Sequence, residues 1–246
     1  MIKVVDLWKS FGGNHVLRGV SLEIPQGNTF VILGGSGSGK TVLMKHVIGL
    51  LRPDRGTVYV DGVEIPKLEG KALTESRRMF GMVFQQAALF DSMTVLDNVA
   101  FPLRERQRSL SADELRRRVV EKLKVVDLSE SILGLYPSEL SGGMKKRVAL
   151  ARALIHEPRV VLYDEPTTGL DPITTDYVDD MIVTAKEKLG VTSMVISHDI
   201  ASSFKVADRL AILYDGQIAS QSTPDEVRRS EHPHVKKFLS LWFEKQ

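Results

Sequence analysis

Residues Gly34-Gly35-Ser36-Gly37-Ser38-Gly39-Lys40-Thr41 constrain this chain more than any other stretch. They fit the pattern G-x-x-x-x-G-K-[S/T] at every required position. Apolar Phe30-Val31-Ile32-Leu33 comes first and predicts a buried strand. Val42, Leu43, Val47, Ile48 and Leu50 follow and predict a helix. In that setting the glycines let successive backbone N–H groups wrap a polyphosphate, and the new helix adds the positive end of its dipole. Lys40 is expected to reach the β- and γ-phosphates, and the Thr41 hydroxyl to help hold Mg²⁺. A merely flexible Gly/Ser loop has no reason to end in Lys-Thr between a strand and a helix.

The chain has 246 residues, 43% hydrophobic and 26% charged, enough for one substantial core with an attached subdomain. A net charge of +2 gives no strong field toward nucleic acid or an acidic membrane, and no nucleic-acid partner is expected. Arg116-Arg117-Arg118 and Lys145-Lys146-Arg147 fall in helical patterns and read as solvated faces. The absence of cysteine excludes disulfides and thiolate-held metal. Met1 to Asp6 lacks the apolar core of a signal peptide. No window approaches the roughly 20 apolar residues of a membrane span. The expectation is a protein that does not cross a membrane itself but docks on one that does.

Up to about Gly62 the chain reads as β-rich. Ile2 to Val5 and Val20 to Ile24 alternate, and Thr57 to Val60 runs into the hairpin dipeptide Asp61-Gly62. Met79 to Phe84 is a second core strand. From about Ala87 to Ile155 the texture turns helical. Ser111-Ala112-Asp113-Glu114 is a capping box, followed by Leu115, Val119, Leu123 and Val126 at helical spacing. Pro137 breaks the pattern. Ser141-Gly142-Gly143 opens another helix, with Val148, Leu150, Ala151 and Leu154 on its buried side. Strand runs return at Val160–Tyr163 and Ser193–Ile196, separated by a helix after Pro172. Asp215-Gly216 joins a terminal hairpin, and the tail from Thr223 is helical. Strands alternating with helices imply a largely parallel sheet.

Other groups cluster at predicted strand ends, the ligand edge of such a sheet. Asp164 and Glu165 end the Val160 run. Asp164 is placed to hold Mg²⁺ through water, and Glu165 to orient or deprotonate an attacking water. His198 follows the Ser193 strand, where it can bond a γ-phosphate and that water. Gln85 follows the Met79 strand and can touch Mg²⁺ or water. Leu140-Ser141-Gly142-Gly143-Met144 opens a helix without bulk, leaving bare N–H groups as an anion site. A capped helix start with Ser141 as N-cap fits the same residues. One chain already supplies a phosphate loop, so a second anion site implies a γ-phosphate contacted across a dimer.

These pieces, in this order, resemble the nucleotide-binding domain of ABC transporters over nearly the whole chain. The resemblance implies an α/β fold: a P-loop NTPase core with a mostly parallel sheet, an N-terminal antiparallel β-subdomain and an inserted α-helical signature subdomain. Residues 1–86 and 156–222 would form the core, 87–155 the helical subdomain and 223–246 a helical tail. By resemblance, Phe11 stacks on adenine with Val16 nearby, Gln85 is the Q-loop glutamine, and Glu165 is the catalytic glutamate. Gly169-Leu170-Asp171 is the D-loop, and His198 the switch histidine. Two such domains would sandwich two ATPs head to tail. Ser141, Gly142 and Gly143 of one copy would then face the γ-phosphate held by the other copy's Lys40.

Gly35 stands where many members have proline, and Met144 where glutamine usually follows the signature. Gly142–Val148 and Tyr163–Ile173 look like the Mla/Mce-associated branch, which energises lipid trafficking across cell envelopes. That implies peripheral attachment at the cytoplasmic face of the inner membrane. It also implies an integral permease, an MCE-domain lipid-binding protein and, in some members, a small STAS-domain regulator. Some members reach the neighbouring ATPase through a longer C-terminal extension. Here a shorter contact through Phe238, Leu241, Trp242 and Phe243 is the alternative to packing back on their own domain. A transporter ATPase for amino acids, other solutes or lipoproteins is the second reading, and a soluble ATPase acting on ribosomes or DNA a third.

Overall fold

The computed structural model describes residues 1–106 and 109–243, with the side chains of 241–243 outside that description. The chain divides into two units, Met1–Arg77 with Thr192–Gln246, and Arg78–Val191.

The first unit begins with β1 (Ile2–Phe11) and β2 (Asn14–Ile24), an antiparallel pair in which Ile2 faces Ile24 and Val4 faces Leu22. Ile2, Val4, Val20, Leu22 and Ile24 are buried while their sequence neighbours Lys3, Ser21 and Glu23 face out. This is the period-2 burial that the sequence pattern predicts. Next come β3 (Thr29–Leu33) and α1 (Lys40–Val47). β4 (Arg55–Val60) and β5 (Val63–Glu64) form a hairpin through Asp61 and Gly62, both in the left-handed region. That is the geometry a two-residue hairpin turn demands. A short α2 (Gly70–Ser76), which the sequence reading did not anticipate, closes this part. The antiparallel sheet has the order β2-β1-β4-β5.

In the second unit, β6 (Phe80–Val83) leads into α3 (Val95–Arg106), α4 (Ala112–Val125) and α5 (Gly142–Leu154). β7 (Val160–Asp164) and α6 (Pro172–Leu189) follow. β6 and β7 pair in parallel. Ser111 caps α4 by accepting from the Glu114 N–H, and Leu115, Val119 and Leu123 are buried as their spacing predicts. The Glu114 carboxylate turns forward to Arg117 and Arg118, so one half of the expected capping box becomes i,i+3 and i,i+4 ion pairs instead. Asn98, fully buried on α3, donates to the carbonyls of Phe90, Met93 and Thr94 and accepts from the Phe90 N–H. Both ends of its amide find partners inside the core.

The chain returns to the first unit with β8 (Thr192–Ser197), α7 (Ile200–Val206), β9 (Arg209–Tyr214) and β10 (Gln217–Ser222). β3 lies between β8 and β9 and runs parallel to both, while β10 is antiparallel to β9. All five residues of β3 are buried, as a central parallel strand requires. The tail forms α8 (Pro224–Arg228) and α9 (Pro233–Phe243). α9 packs on β10 and α8, burying Val235 and Leu239, with the His234 ring stacked on Tyr214 at 4.1 Å. Of the tail residues singled out in the sequence, Phe238 is half-buried, and the side chains of Leu241, Trp242 and Phe243 lie outside the described residues.

Candidate active site

The phosphate-loop residues Gly34–Gly39 connect β3 to α1, and Lys40 and Thr41 are the first residues of that helix. Gly34 passes so close to β9 that a Cβ there would lie 2.4 Å from the Leu213 carbonyl oxygen. Gly39 has φ 102° and would press a Cβ to 3.0 Å from the Val16 carbonyl. Neither position admits a side chain. The Lys40 ammonium is buried and donates to the carbonyls of Gly34 at 2.8 Å and Gly35 at 2.9 Å.

The start of α1 differs chemically from the starts of α4 to α8, and like that of α2 it lacks a side-chain cap. Ser111, Ser141, Asp171, Asp199 and Thr223 each place a side-chain oxygen on a backbone N–H of the helix they precede. α1 begins after Gly39 with no side-chain cap. Its first N–H groups and the buried, unpartnered Ser38 hydroxyl lie in the same turn as Lys40. A buried hydroxyl without a protein acceptor, at the start of a helix and beside a cation, fits a phosphate chain.

Leu33 faces Ser197 across the parallel β3–β8 pair. The loop that begins at Gly34 and His198 therefore leave the sheet at the same end, one residue beyond paired positions. His198 is exposed there, followed by Asp199, which caps α7. Val16 on β2 packs under Gly39. Phe11, at the end of β1, is 45% exposed with the Lys9 ammonium 5.4 Å from its ring centre. An exposed ring at a strand end is available for stacking.

The second unit repeats the logic. Val83 faces Tyr163 in the parallel β6–β7 pair, so Gln85 and the Asp164-Glu165 pair emerge at one end. Gln85 is exposed; Asp164 and Glu165 are half-buried. Glu165 adopts φ 49°, a costly conformation for a residue other than glycine. The Thr168 hydroxyl donates to its carboxylate at 2.8 Å and the Thr168 N–H to its carbonyl at 3.3 Å.

Ser141 caps α5, accepting from the Met144 N–H at 3.2 Å, and it remains exposed. Asp171 caps α6, accepting from the Thr174 N–H at 3.0 Å and the Thr174 hydroxyl at 2.5 Å. Those bonds, the hydroxyl's first, hold the Asp171 carboxyl below its ordinary range. Ser141, Gly142, Gly143, Gly169 and Asp171 line one cavity of about 410 Å³, with Tyr177 and Arg147 on its rim. Ser141, the two glycines after it and Asp171 thus share one opening.

Three residues at these sites carry no sequence motif. Thr168 is found only once the turn after β7 is seen. Lys146 on α5 corrects the expectation of a solvated face for Lys145-Lys146-Arg147, and Arg152 on the same helix is buried as well. Lys146 is only 6% exposed and donates to the Gln85 carbonyl, and Arg152 is buried against the next turn of chain. The signal for Lys146 was its spacing, three and four residues before the buried Ala149 and Leu150.

A phosphate loop with an uncapped helix, an acidic strand end with a strained glutamate, and a serine-capped glycine pair opening a helix define an ATP-binding cassette. The chain belongs to the ABC transporter family, whose model matches residues 17–168, and to the ATP-hydrolysing subunits of that family. A probable ribonucleotide transport ATP-binding protein, mkl, of Mycobacterium leprae is 40% identical over 97% of this chain and 68% of that protein. The chain thus spans about two-thirds of the length of such relatives. The intermembrane phospholipid transport system ATP-binding protein MlaF of Escherichia coli is 38% identical over 97% of this chain and 88% of its own. A methionine import ATP-binding protein, MetN, of Carboxydothermus hydrogenoformans is also 38% identical, over 100% of this chain and 73% of its own. Among solved structures, the dimeric post-hydrolysis state of the cassette MJ0796 bound to ADP and Pi is 35% identical. It superposes with a TM-score of 0.82, covering 91% of this chain and 99% of that one.

Proposed function

We propose that this chain is the ATPase subunit of a membrane transporter that moves phospholipid or a related lipid across a cell envelope. The observation that carries the motor reading is the uncapped, glycine-led start of α1 with Lys40 buried beside it. In this reading residues 1–86 and 156–222 form the catalytic core, residues 87–155 the helical subdomain, and 223–246 a tail. Phe11 and Val16 receive the adenine. Backbone N–H groups of Gly34 to Thr41 hold the phosphates, and Lys40 leaves the Gly34 and Gly35 carbonyls to neutralise the β- and γ-oxygens.

Among the described residues, no three His, Cys, Asp or Glu side chains group to cage a metal. One carboxylate, Asp164, with the Thr41 hydroxyl and the Gln85 amide suits Mg²⁺, which binds largely through phosphate oxygens and water. Bound there, Mg²⁺ would neutralise charge on the β- and γ-phosphates. Glu165, held by Thr168, orients the attacking water or takes its proton, and His198 bonds the γ-phosphate.

The second nucleotide contact belongs to another copy of the chain. Ser141, Gly142 and Gly143 would receive the γ-phosphate carried by the partner copy, with Asp171 beside them. The dimeric form of a structural relative supports that assembly. Closure would then move an integral permease. The exposed Phe84 and Phe90 line a groove with Phe101 and Arg152, suited to an apolar segment of such a partner. Among the described residues no helix is long and apolar enough to cross a membrane. Peripheral attachment at the cytoplasmic face of the inner membrane follows in this reading. An MCE-domain lipid-binding protein would complete the complex, and a STAS-domain regulator could join it.

The lipid assignment rests on the likeness to MlaF and on the segments Gly142–Val148 and Tyr163–Ile173. The equal identity to MetN supports amino-acid import as the second reading. The test is reconstitution with the neighbouring permease in vesicles holding a fluorescent phospholipid and radiolabelled methionine. ATP-driven movement of the phospholipid, lost in Glu165→Gln, supports lipid transport. Methionine uptake with a static phospholipid overturns it.

A further inference from the structure

Two cations on α5 point at one stretch of chain. Lys146 donates to the Gln85 carbonyl. Arg152 donates to the Ala88 carbonyl at 2.7 Å and the Ala87 carbonyl at 2.8 Å. They are 6% and 9% exposed, and among the described residues neither is paired with a carboxylate. Burial alone pushes both below their ordinary pKa values. A buried cation without a counter-ion is costly, and here backbone carbonyls, with the Phe90 ring beside Arg152, compensate it.

The stretch they hold is itself strained. Ala87 and Ala88 have φ 60° and 48°, two consecutive left-handed residues without a glycine. Such strain persists only where the surroundings over-determine it. The turn keeps short bonds of its own, from the Ala87 N–H to the Phe84 carbonyl at 3.0 Å and from the Ala88 N–H to the Gln86 carbonyl at 2.7 Å. The three carbonyls that α5 grips are what tie this conformation to the rest of the unit. The Arg152 guanidinium also lies 6.0 Å from the Phe90 ring centre, just beyond the turn.

We infer that Lys146 is a positioning residue: with Arg152 it fixes the Gln85–Ala88 turn to α5, so that the helix opening at the signature serine also sets the aim of the Gln85 side chain. The geometry is that of a lever with two attachment points. Lys146 lies about 7–8 Å along the axis from Ser141, and Arg152 about 9 Å further. A displacement of the helix start by a nucleotide at Ser141–Gly143 is carried to Gln85 through a cation and a carbonyl rather than through loose loop. A neutral residue at 146 would leave the Gln85 carbonyl without that donor and the turn anchored only at Arg152.

The inference rests on the reading of Gln85 as a group that touches Mg²⁺ or the attacking water, and its test separates the two. The purified wild-type protein, Lys146→Met, Lys146→Arg, Gln85→Ala and the double variant Lys146→Met/Gln85→Ala are compared with Mg²⁺ and ATP. Absence of turnover in Gln85→Ala with normal Lys146→Met kinetics counts for the role of Gln85 and against Lys146. Undiminished turnover in Gln85→Ala removes the role of Gln85 instead. The expected result for Lys146→Met is a kcat about tenfold lower or more, with KM and nucleotide affinity unchanged. Lys146→Arg, which keeps a donor to the carbonyl, restores most of the turnover. In the Gln85→Ala background, Lys146→Met has no further effect on kcat. Hydrogen exchange at the Ala87 and Ala88 amides speeds up in Lys146→Met while the amides of β6 and β7 keep their protection. If Lys146→Met proves too unstable to assay, the arginine variant and Lys146→Gln, which reaches less far, give the same ordering: Lys, Arg, then Gln. A Lys146→Met protein with wild-type kcat, or a loss that adds fully to that of Gln85→Ala, would overturn the inference.

Discussion

Thr168 holds Glu165 from three residues downstream, hydroxyl to carboxylate at 2.8 Å and N–H to carbonyl at 3.3 Å. The turn they close keeps Glu165 at φ 49° directly after the buried strand β7. Such a bond fixes where one carboxylate oxygen lies. In Glu165→Gln the nucleotide should still bind, turnover should fall by about 100-fold or more, and a dimer should accumulate with ATP. Nucleotide titration, phosphate release and size-exclusion chromatography measure the three effects. Thr168→Val should reduce kcat far less, without changing ATP affinity. Normal turnover in Glu165→Gln would remove the residue from catalysis.

Lys40 now satisfies its ammonium on two carbonyls of its own loop. Lys40→Ala therefore removes the ammonium from both carbonyls, leaving Gly35 with the Ser38 N–H at 3.3 Å, and leaves the phosphates without a cation. Affinity for ATP should drop by about tenfold or more, since charge-assisted bonds are the strong ones. Equilibrium binding of a fluorescent ATP analogue reads this directly; unchanged affinity would dissociate the loop from phosphate binding.

A nucleotide bound at the uncapped start of α1 would link stability to nucleotide concentration. A nucleotide at 100 times its Kd should stabilise the folded chain by about 2.7 kcal/mol. Thermal unfolding should shift upward with ATP and Mg²⁺, and less with ATP in excess chelator. Equal shifts with and without Mg²⁺ would count against a metal held with the phosphates.

Two buried histidines give the protein an acid limit. The His156 imidazole titrates at about 4 instead of 6.5, through burial and then the Arg106 charge, opposed by its bond to the Phe80 carbonyl. Nε2 makes that bond at 3.1 Å, so protonation would fall on Nδ1, a buried atom with no partner, in a cavity also lined by Arg106 and Arg152. His46 is lowered in the same way, by burial first; the Val42 and Arg52 backbone bonds and Asp54 oppose it, and Lys9 adds to it. Above pH 6.5 neither state takes up a proton at these sites and their contribution is flat. As pH falls from 6.5 toward 4, the unfolded chain binds protons that the folded chain refuses, so stability is lost across that window. Urea midpoints at several pH values should show this slope, and His156→Gln should make it shallower. An unchanged slope would mean that His156 is not responsible.

Much of this was legible in the residues themselves. The alternation in β1 and β2, the apolar run of β3 and the dipeptides Asp61-Gly62 and Asp215-Gly216 each express a local rule that packing then obeys. The phosphate loop was readable because its constraints are steric: glycine where Gly34 meets the Leu213 carbonyl, and glycine again at φ 102°. The Gln85–Ala88 turn was not readable, because two alanines announce no left-handed backbone. What fixes them is Lys146 and Arg152, more than 60 residues away in sequence. Lys146 itself was hidden inside a run of three basic residues, where charge outweighs periodicity to the eye. Glu114 defeated the capping-box expectation for a similar reason: two arginines one turn on compete for the carboxylate and win it.

The pairing of Leu33 with Ser197 acts as a ruler. Lengthening either strand by one residue would move its loop by about 3.3 Å and turn every following side chain to the opposite face of the sheet. Variation in length is therefore forbidden between Thr29 and Leu33 and between Thr192 and Ser197. It is tolerable only in the connections outside them, where nothing has to arrive level with a neighbour.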